Sequence, residues 1–112
     1  MSVDDRLIKS AALLGTTVND AKGHKLGVVR EIFLDRDAGI ARFVVLELSS
    51  LFGGGGKFYP VPWRILTHDD EADVYVADLT KDQLKAAPAY DREQLNSASY
   101  GWGQQVERYF AD

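Results

Sequence analysis

The sequence predicts a mainly β protein: a small closed or partly open antiparallel β-barrel of about six strands, with short helices at the C-terminal end. Three observations predict it. Short extended runs alternate with Gly- and Asp-rich turns across residues 16–77. The run at residues 40–48 is apolar on both faces, whereas a strand in a single-faced sheet alternates more cleanly. After Asp78 the pattern turns helical, with a capping-box spacing at Thr80-Lys81-Asp82-Gln83.

The elements follow in order. Residues 3–14 predict a short helical turn with Leu7, Ala11 and Leu14 on one side. Thr16-Thr17-Val18 is a strand, and Asp20-Ala21-Lys22-Gly23 a turn in which glycine supplies a positive φ. Residues 25–34 form the second strand. Leu26, Val28, Ile32 and Leu34 share one face, interrupted by Arg30, and Val29 and Phe33 share the other. After the turn Asp35-Arg36-Asp37-Ala38-Gly39, residues 40–48 form the third strand. Ile40, Val44, Leu46 and Leu48 lie on one face with Arg42 between them; Ala41, Phe43 and Val45 lie on the other, followed by Glu47. Residues 49–56 are too glycine-rich for regular structure.

Residues 57–61 resume an extended path. Pro60 and Pro62 place it at a sheet edge or at the strand's end, because neither carries a ladder donor. Residues 63–68 extend again, Asp69-Asp70-Glu71-Ala72-Asp73 is a polar hairpin tip, and residues 74–77 return. The helix begun at Thr80 ends near Ala87-Pro88. In the tail, Trp102, Val106, Tyr109 and Phe110 fall at helical spacing, which predicts a second short helix packing back on the barrel.

With 112 residues, the chain is the size of one domain and can bury a core without disulfides or metals. It has no cysteine, which excludes disulfides, thiolate catalysis and zinc–thiolate sites and suits a reducing compartment. Net charge is −4, without the basic stripe of a nucleic-acid binder. The charge is uneven: residues 1–66 hold nine basic and seven acidic side chains, residues 67–112 four and ten. The opening Met1-Ser2-Val3-Asp4-Asp5 is acidic, unlike a secretory signal. The most apolar run is far short of the ~20 residues that span a bilayer as a helix. The expected location is the cytoplasm.

Four chemistry-bearing patterns fail on inspection. Gly53-Gly54-Gly55-Gly56-Lys57 is not a phosphate loop, because Leu51 and Phe58 stand where the leading Gly and the magnesium-binding hydroxyl belong. Gly101-Trp102-Gly103 is followed by Val106 where a dinucleotide fingerprint needs Gly or Ala. Asp69, Glu71 and Asp73 are spaced like the start of a calcium loop, but Val74 replaces the required Gly and no distal Glu follows at the right offset. His24 and His68 sit at turns without a recognisable catalytic carboxylate arrangement. The expectation is a protein that is not an enzyme, with no catalytic residue, no cofactor and no metal.

Taken in order, these residues resemble the PRC-barrel family, named for the photosynthetic reaction centre H subunit. The resemblance is carried by Leu14-Gly15-x-x-Val18, Asp20-x-x-Gly23-x-x-Leu26-Gly27-Val28 continuing to Asp35, and the Val44-Val45 strand. The glycine-rich loop, Tyr59-Pro60-Val61-Pro62-Trp63 and Leu84-x-x-Ala87-Pro88 complete it. It covers about residues 10–90 and implies an N-terminal segment (1–12), a barrel (13–88) and a tail (89–112) packing on the barrel or on a partner. The family implies a barrel filled by side chains rather than by a ligand. Its members cap the reaction centre on the cytoplasmic side and influence proton and electron transfer to quinone, help a ribosome maturation factor bind a ribosomal protein, or are linked to cell division. The shared theme is protein contact. This sequence shows neither the membrane helix of the first nor the partner domain of the second, so neither role carries over whole.

The resemblance therefore implies a non-catalytic protein-interaction or adaptor module. Its alternative is a peripheral accessory component of a membrane electron- or proton-transfer complex. A small barrel has one inside, so the second apolar set of each central strand must face helices, the tail, a partner or water. The expected partner or homodimer interface is Val29, Phe33, Phe43 and Val45, with Phe52 at its edge.

Overall fold

The computed structural model describes residues 6–48, 56–97 and 100–111. It begins with a short helix α1 (Ser10–Leu13), followed by β1 (Thr17–Asn19), β2 (Lys25–Asp35), β3 (Ile40–Leu48) and β4 (Phe58–Pro62). A 3-10 turn (Trp63–Ile65) leads into β5 (Leu66–Asp69) and β6 (Val74–Ala77), and three helices close the chain: α2 (Lys81–Ala86), α3 (Arg92–Leu95) and α4 (Trp102–Phe110). The six strands form one sheet in the order β4-β3-β2-β1-β6-β5. The mainly β, six-stranded class read from the sequence is the one observed, in its partly open form. β4 and β5 stand at the two ends of the sheet and are joined by the 3-10 turn instead of a ladder.

The sheet is mixed, where the sequence predicts an antiparallel one. β1 and β6 run parallel, Val18 opposite Tyr75 and Asn19 opposite Val76. Parallel neighbours need a long connection, and β2 to β5 supply it here. The antiparallel hairpins have local causes. At the β2–β3 turn the Asp35 carboxylate accepts the Asp37 and Ala38 N–H groups, both at 3.0 Å, and Gly39 turns the chain at φ 73°. β4 is an edge strand, as its prolines require.

One cluster fills the concave side of the sheet: Val18, Leu26, Val29, Val44, Leu46, Leu48, Tyr59, Val61, Tyr75 and Ala77, closed by Leu13, Leu79 and Leu84. Leu84 comes from α2, whose predicted capping box is present in both halves. The Gln83 N–H donates to Thr80 Oγ1 at 3.1 Å, and the Thr80 N–H to Gln83 Oε1 at 2.8 Å.

Two bulges interrupt the β2–β3 ladder. Val29 faces Leu46 and Glu31 faces Val45, so Arg30 is an extra residue on β2; Phe33 faces Phe43 and Leu34 faces Ala41, so Arg42 is an extra residue on β3. A third, between Val18 and Asn19 of β1, leaves Leu26 as the extra residue opposite them. Each bulge shifts the two-residue period by one. The inward set of β2 is therefore Leu26, Val29 and Ile32, not the Leu26, Val28, Ile32, Leu34 of strict alternation. The two arginines that broke the sequence pattern are the bulged residues. Both are exposed and paired, Arg30 with Glu47 at 2.6 Å and Arg42 with Asp35 at 3.4 Å.

The N-terminal expectation is corrected. The described helix is one turn, and Leu13 is its buried residue; Leu7, Ala11 and Leu14 are exposed. A strand follows within a few residues, so the apolar residues never align as a helical stripe.

Gly27 sits where β2 passes close to β3. A Cβ there would lie 2.2 Å from the Glu47 carbonyl oxygen, which is fixed in the ladder. Gly27→Ala is expected to destabilise the fold by about 3 kcal/mol or more, the upper range for overpacking. Urea unfolding should show a lower midpoint at an unchanged slope.

Candidate interaction surfaces

The convex side of the sheet carries a second apolar cluster. Phe43 and Val45 of β3 and Phe58 of β4 are buried beneath Leu95 of α3 and Trp102 and Val106 of α4, with Phe33, Tyr90 and Phe110 packed around them. Trp102 is the central side chain. Its ring meets Phe33 (5.0 Å, 77°) and Phe43 (5.2 Å, 68°) edge to face, an arrangement favoured by the ring quadrupoles. Its indole N–H donates to the Leu95 carbonyl at 2.9 Å, so the one polar atom of the side chain is satisfied inside the cluster.

The tail reaches this position by a series of local devices. Tyr90 and Phe58 exchange two backbone hydrogen bonds, of 2.8 and 2.9 Å. Asp91 and Gln94 form a second capping box, which starts α3. Arg92 lies over the Phe58 ring at 5.5 Å. α4 is held at its sides by a Tyr90–Gln105 hydrogen bond and an Arg64–Glu107 ion pair of 2.9 Å, and at its end by the Tyr109 hydroxyl donating to the Gln83 carbonyl at 2.7 Å.

The residues of the expected interface are placed apart. Phe43 and Val45 do lie together on the outer face, but the chain's own tail covers them. Val29 is on the opposite side, in the barrel core, because the Arg30 bulge turns it inward. Phe33 is half-buried at the rim, its ring 5.2 Å from the exposed Tyr100. Phe52 lies outside the described residues. The large apolar side chains left in water on the central strands are instead Leu34 (68% exposed) and Ile40 (51% exposed), which flank the β2–β3 turn. Strict alternation counts both as core; the bulges and the projecting end of the hairpin put them outside.

The histidines are also placed. His24 stands 3.4 Å from Asp20, whose carboxylate is otherwise engaged by the Lys22 and His24 backbone N–H groups at 2.9 Å each. His68 is held at both ring nitrogens, Nδ1 by Asp70 at 2.7 Å and Nε2 by Asp73 at 3.1 Å, and its ring packs on Tyr75 at 4.9 Å. Two of the three carboxylates that resembled a calcium loop are used elsewhere. Asp73 engages His68, and Asp69 accepts the Glu71 and Ala72 N–H groups. Among the described residues no group of three or more His, Asp or Glu side chains is placed to hold a metal ion. Also among them, no helix is long and apolar enough to cross a membrane.

The PRC-barrel domain profile matches residues 5–84. An uncharacterized protein of Deinococcus radiodurans is 27% identical over 85 residues, which cover 76% of this chain and 30% of that relative. The chain thus spans less than a third of that relative's length.

Two outcomes follow from this geometry. Trp102→Ala removes the centre of the second cluster. It should cost about 3–5 kcal/mol in urea unfolding, the range for a buried aromatic, and raise binding of a hydrophobic dye as the β3 face opens. Hydrogen bonds from the ring to Asp70 and then Asp73 raise the His68 pKa above its ordinary value, against a smaller opposing effect of burial. The stabilisation is complete below the ordinary histidine range (~6.5) and is lost as pH rises through the raised value. NMR titration should place His68 above that range, and His68→Gln should remove this part of the pH dependence of stability.

Proposed function

We propose that this chain, which belongs to the PRC-barrel domain family, is a non-catalytic protein-interaction module of the cytoplasm that self-associates. The observation that carries this reading is the pair Leu34 and Ile40. Two large aliphatic side chains lie in water on either side of one turn, at the end of a hairpin fixed by the Asp35 hydrogen bonds. Exposed apolar groups on a rigid support are contact surface in waiting, because burying each against a partner is worth roughly 1.5–3 kcal/mol.

Phe33 and Tyr100 continue the apolar rim on the outer side, next to the half-covered edge of the second cluster. Phe43, Val45 and Trp102 then act as the support that holds Phe33 in place, rather than as the contact itself. Leu34, Ile40, Phe33 and Arg36 are of residue types found in protein contacts, and the turn aspartate Asp35 is engaged by the Asp37 and Ala38 N–H groups and by Arg42.

Sedimentation velocity over a wide concentration range tests the self-association. Wild type should show a dimer that dissociates on dilution. Leu34→Asp and Ile40→Asp should be monomeric, with the unfolding midpoint of wild type diluted to monomer, since neither side chain packs in a core. Phe33→Asp should also lower stability, because it cuts into the Trp102 cluster. A wild type that stays monomeric at every concentration would sink the self-association.

A further inference from the structure

We propose that the outer edge of β5 is a docking site for an extended, basic segment of a partner protein, which adds to the sheet as a seventh strand. The proposal rests on the protein-interaction reading above and names a partner chemistry for a different surface of the molecule.

The sheet has two ends, and they differ. At β4 the residues Pro60 and Pro62 offer no N–H, and Tyr90 already bonds to Phe58 in both directions. β5 has no proline, and no strand among the described residues lies on its outer side. The direction of its backbone groups follows from the ladder. The Asp78 N–H donates to the Ile65 carbonyl at 3.0 Å, and Leu66 stands opposite Ala77, so Ile65–Asp78 is a hydrogen-bonded pair. Antiparallel pairs alternate. Thr67 and Asp69 therefore bond to β6, while Leu66 and His68 turn their backbone groups outward. The close contact of the His68 and Tyr75 rings fits this, because non-hydrogen-bonded pairs bring side chains nearer. The Leu66 N–H is used by the Trp63 carbonyl. The His68 N–H and the Leu66 and His68 carbonyls remain directed at the open side.

The surroundings define the occupant. Beside the edge lies an open cleft of about 500 Å³, where Ile65 and Thr67 face Leu79, Gln83 and Phe110. Its lining is mixed, with Arg64, Asp78 and Tyr109 beside the apolar groups, which suits side chains with an apolar stem and a polar end on an added strand. Charge sets the sign: Asp69, Asp70, Glu71 and Asp73 are exposed at one end of β5, and Asp78 is exposed at the other, where the cation Arg64 is already paired with Glu107. A second copy of this chain would bring an edge of the same net acidic charge, whereas a lysine- or arginine-bearing segment is attracted.

The test titrates the 15N-labelled chain, at low salt, with an alternating lysine–valine nonapeptide and with its glutamate–valine counterpart. The lysine peptide should shift the amides of Leu66–Asp69, slow exchange of the His68 amide, and show contacts between peptide and Leu66 or His68 backbone protons. The glutamate peptide should do none of these. His68→Pro removes the outward donor but no bond to β6 and should weaken binding at least tenfold; His68→Gln keeps the donor and should bind as wild type does. Should His68→Pro fail to fold, the peptide–backbone contacts in wild type decide alone. Shifts confined to another face, or equal binding by a folded His68→Pro, overturn the proposal. So does the absence of lysine-peptide binding. Dissociation of the dimer by Leu34→Asp is read separately, so loss of the β5 site leaves the interaction reading intact, and a monomeric wild type leaves the β5 site intact.

Discussion

β3 is apolar on both faces, and both must leave water. Val44, Leu46 and Leu48 point into the barrel, and Phe43 and Val45 point away from it. The barrel satisfies the first set only. The second requires another layer, and α3 and α4 provide it, which is why an otherwise irregular tail is an integral part of the fold. The order of the tail devices follows from this need. Tyr90 pins the chain to the β4 end, the Asp91 capping box redirects it, and Trp102 seals the face. Each step is local and weak. The aromatic cluster makes them cooperative, since Trp102 contacts both strands and reaches back to Leu95.

The same helix also bears on the open seam of the half-barrel. Arg64 at the β4–β5 corner pairs with Glu107, Phe110 packs against both clusters, and Tyr109 bonds to α2. α4 thus ties together the corner of the sheet, its convex face and the helix that closes the concave core. The price is a surface divided into unlike parts. An apolar hairpin end projects at one place, and an acidic turn beside a sheet edge lies at another. The two surfaces are those of the two contacts proposed above, one apolar and one of backbone pairing and charge.

The β5–β6 turn adds a local electrostatic element to the second of these. Asp69 satisfies two turn N–H groups, and His68 ties Asp70 and Asp73 together through its two nitrogens. A doubly protonated ring donates to both carboxylates; a neutral ring has one N–H to give. The geometry of the turn is therefore coupled to a titratable group in the strand that borders it.

The sequence by itself determined the mainly β class and most strands and turns, although residues 63–65, read as extended, form a 3-10 turn. Residues 40–48 and 74–77 are strands as the apolar pattern requires, the Thr80 capping box starts α2, and Pro60 and Pro62 mark a sheet edge. These are local matters of φ preference, missing donors and two-residue or capping periods. It also showed, in Phe43 and Val45, that a second face needed cover. Tertiary structure decided what covers it and which residues share it. A bulge moves every later side chain to the other face; the two in the β2–β3 ladder leave only an arginine, Arg30 or Arg42, at a core position as their trace, and the one at Leu26 leaves none. That is why Val29 went inward and Leu34 outward against strict alternation. Parallel pairing of β1 with β6 and the return of α4 depend on contacts between residues far apart in the chain. Local preference carries no information about such contacts, because they exist only when the whole sheet is assembled.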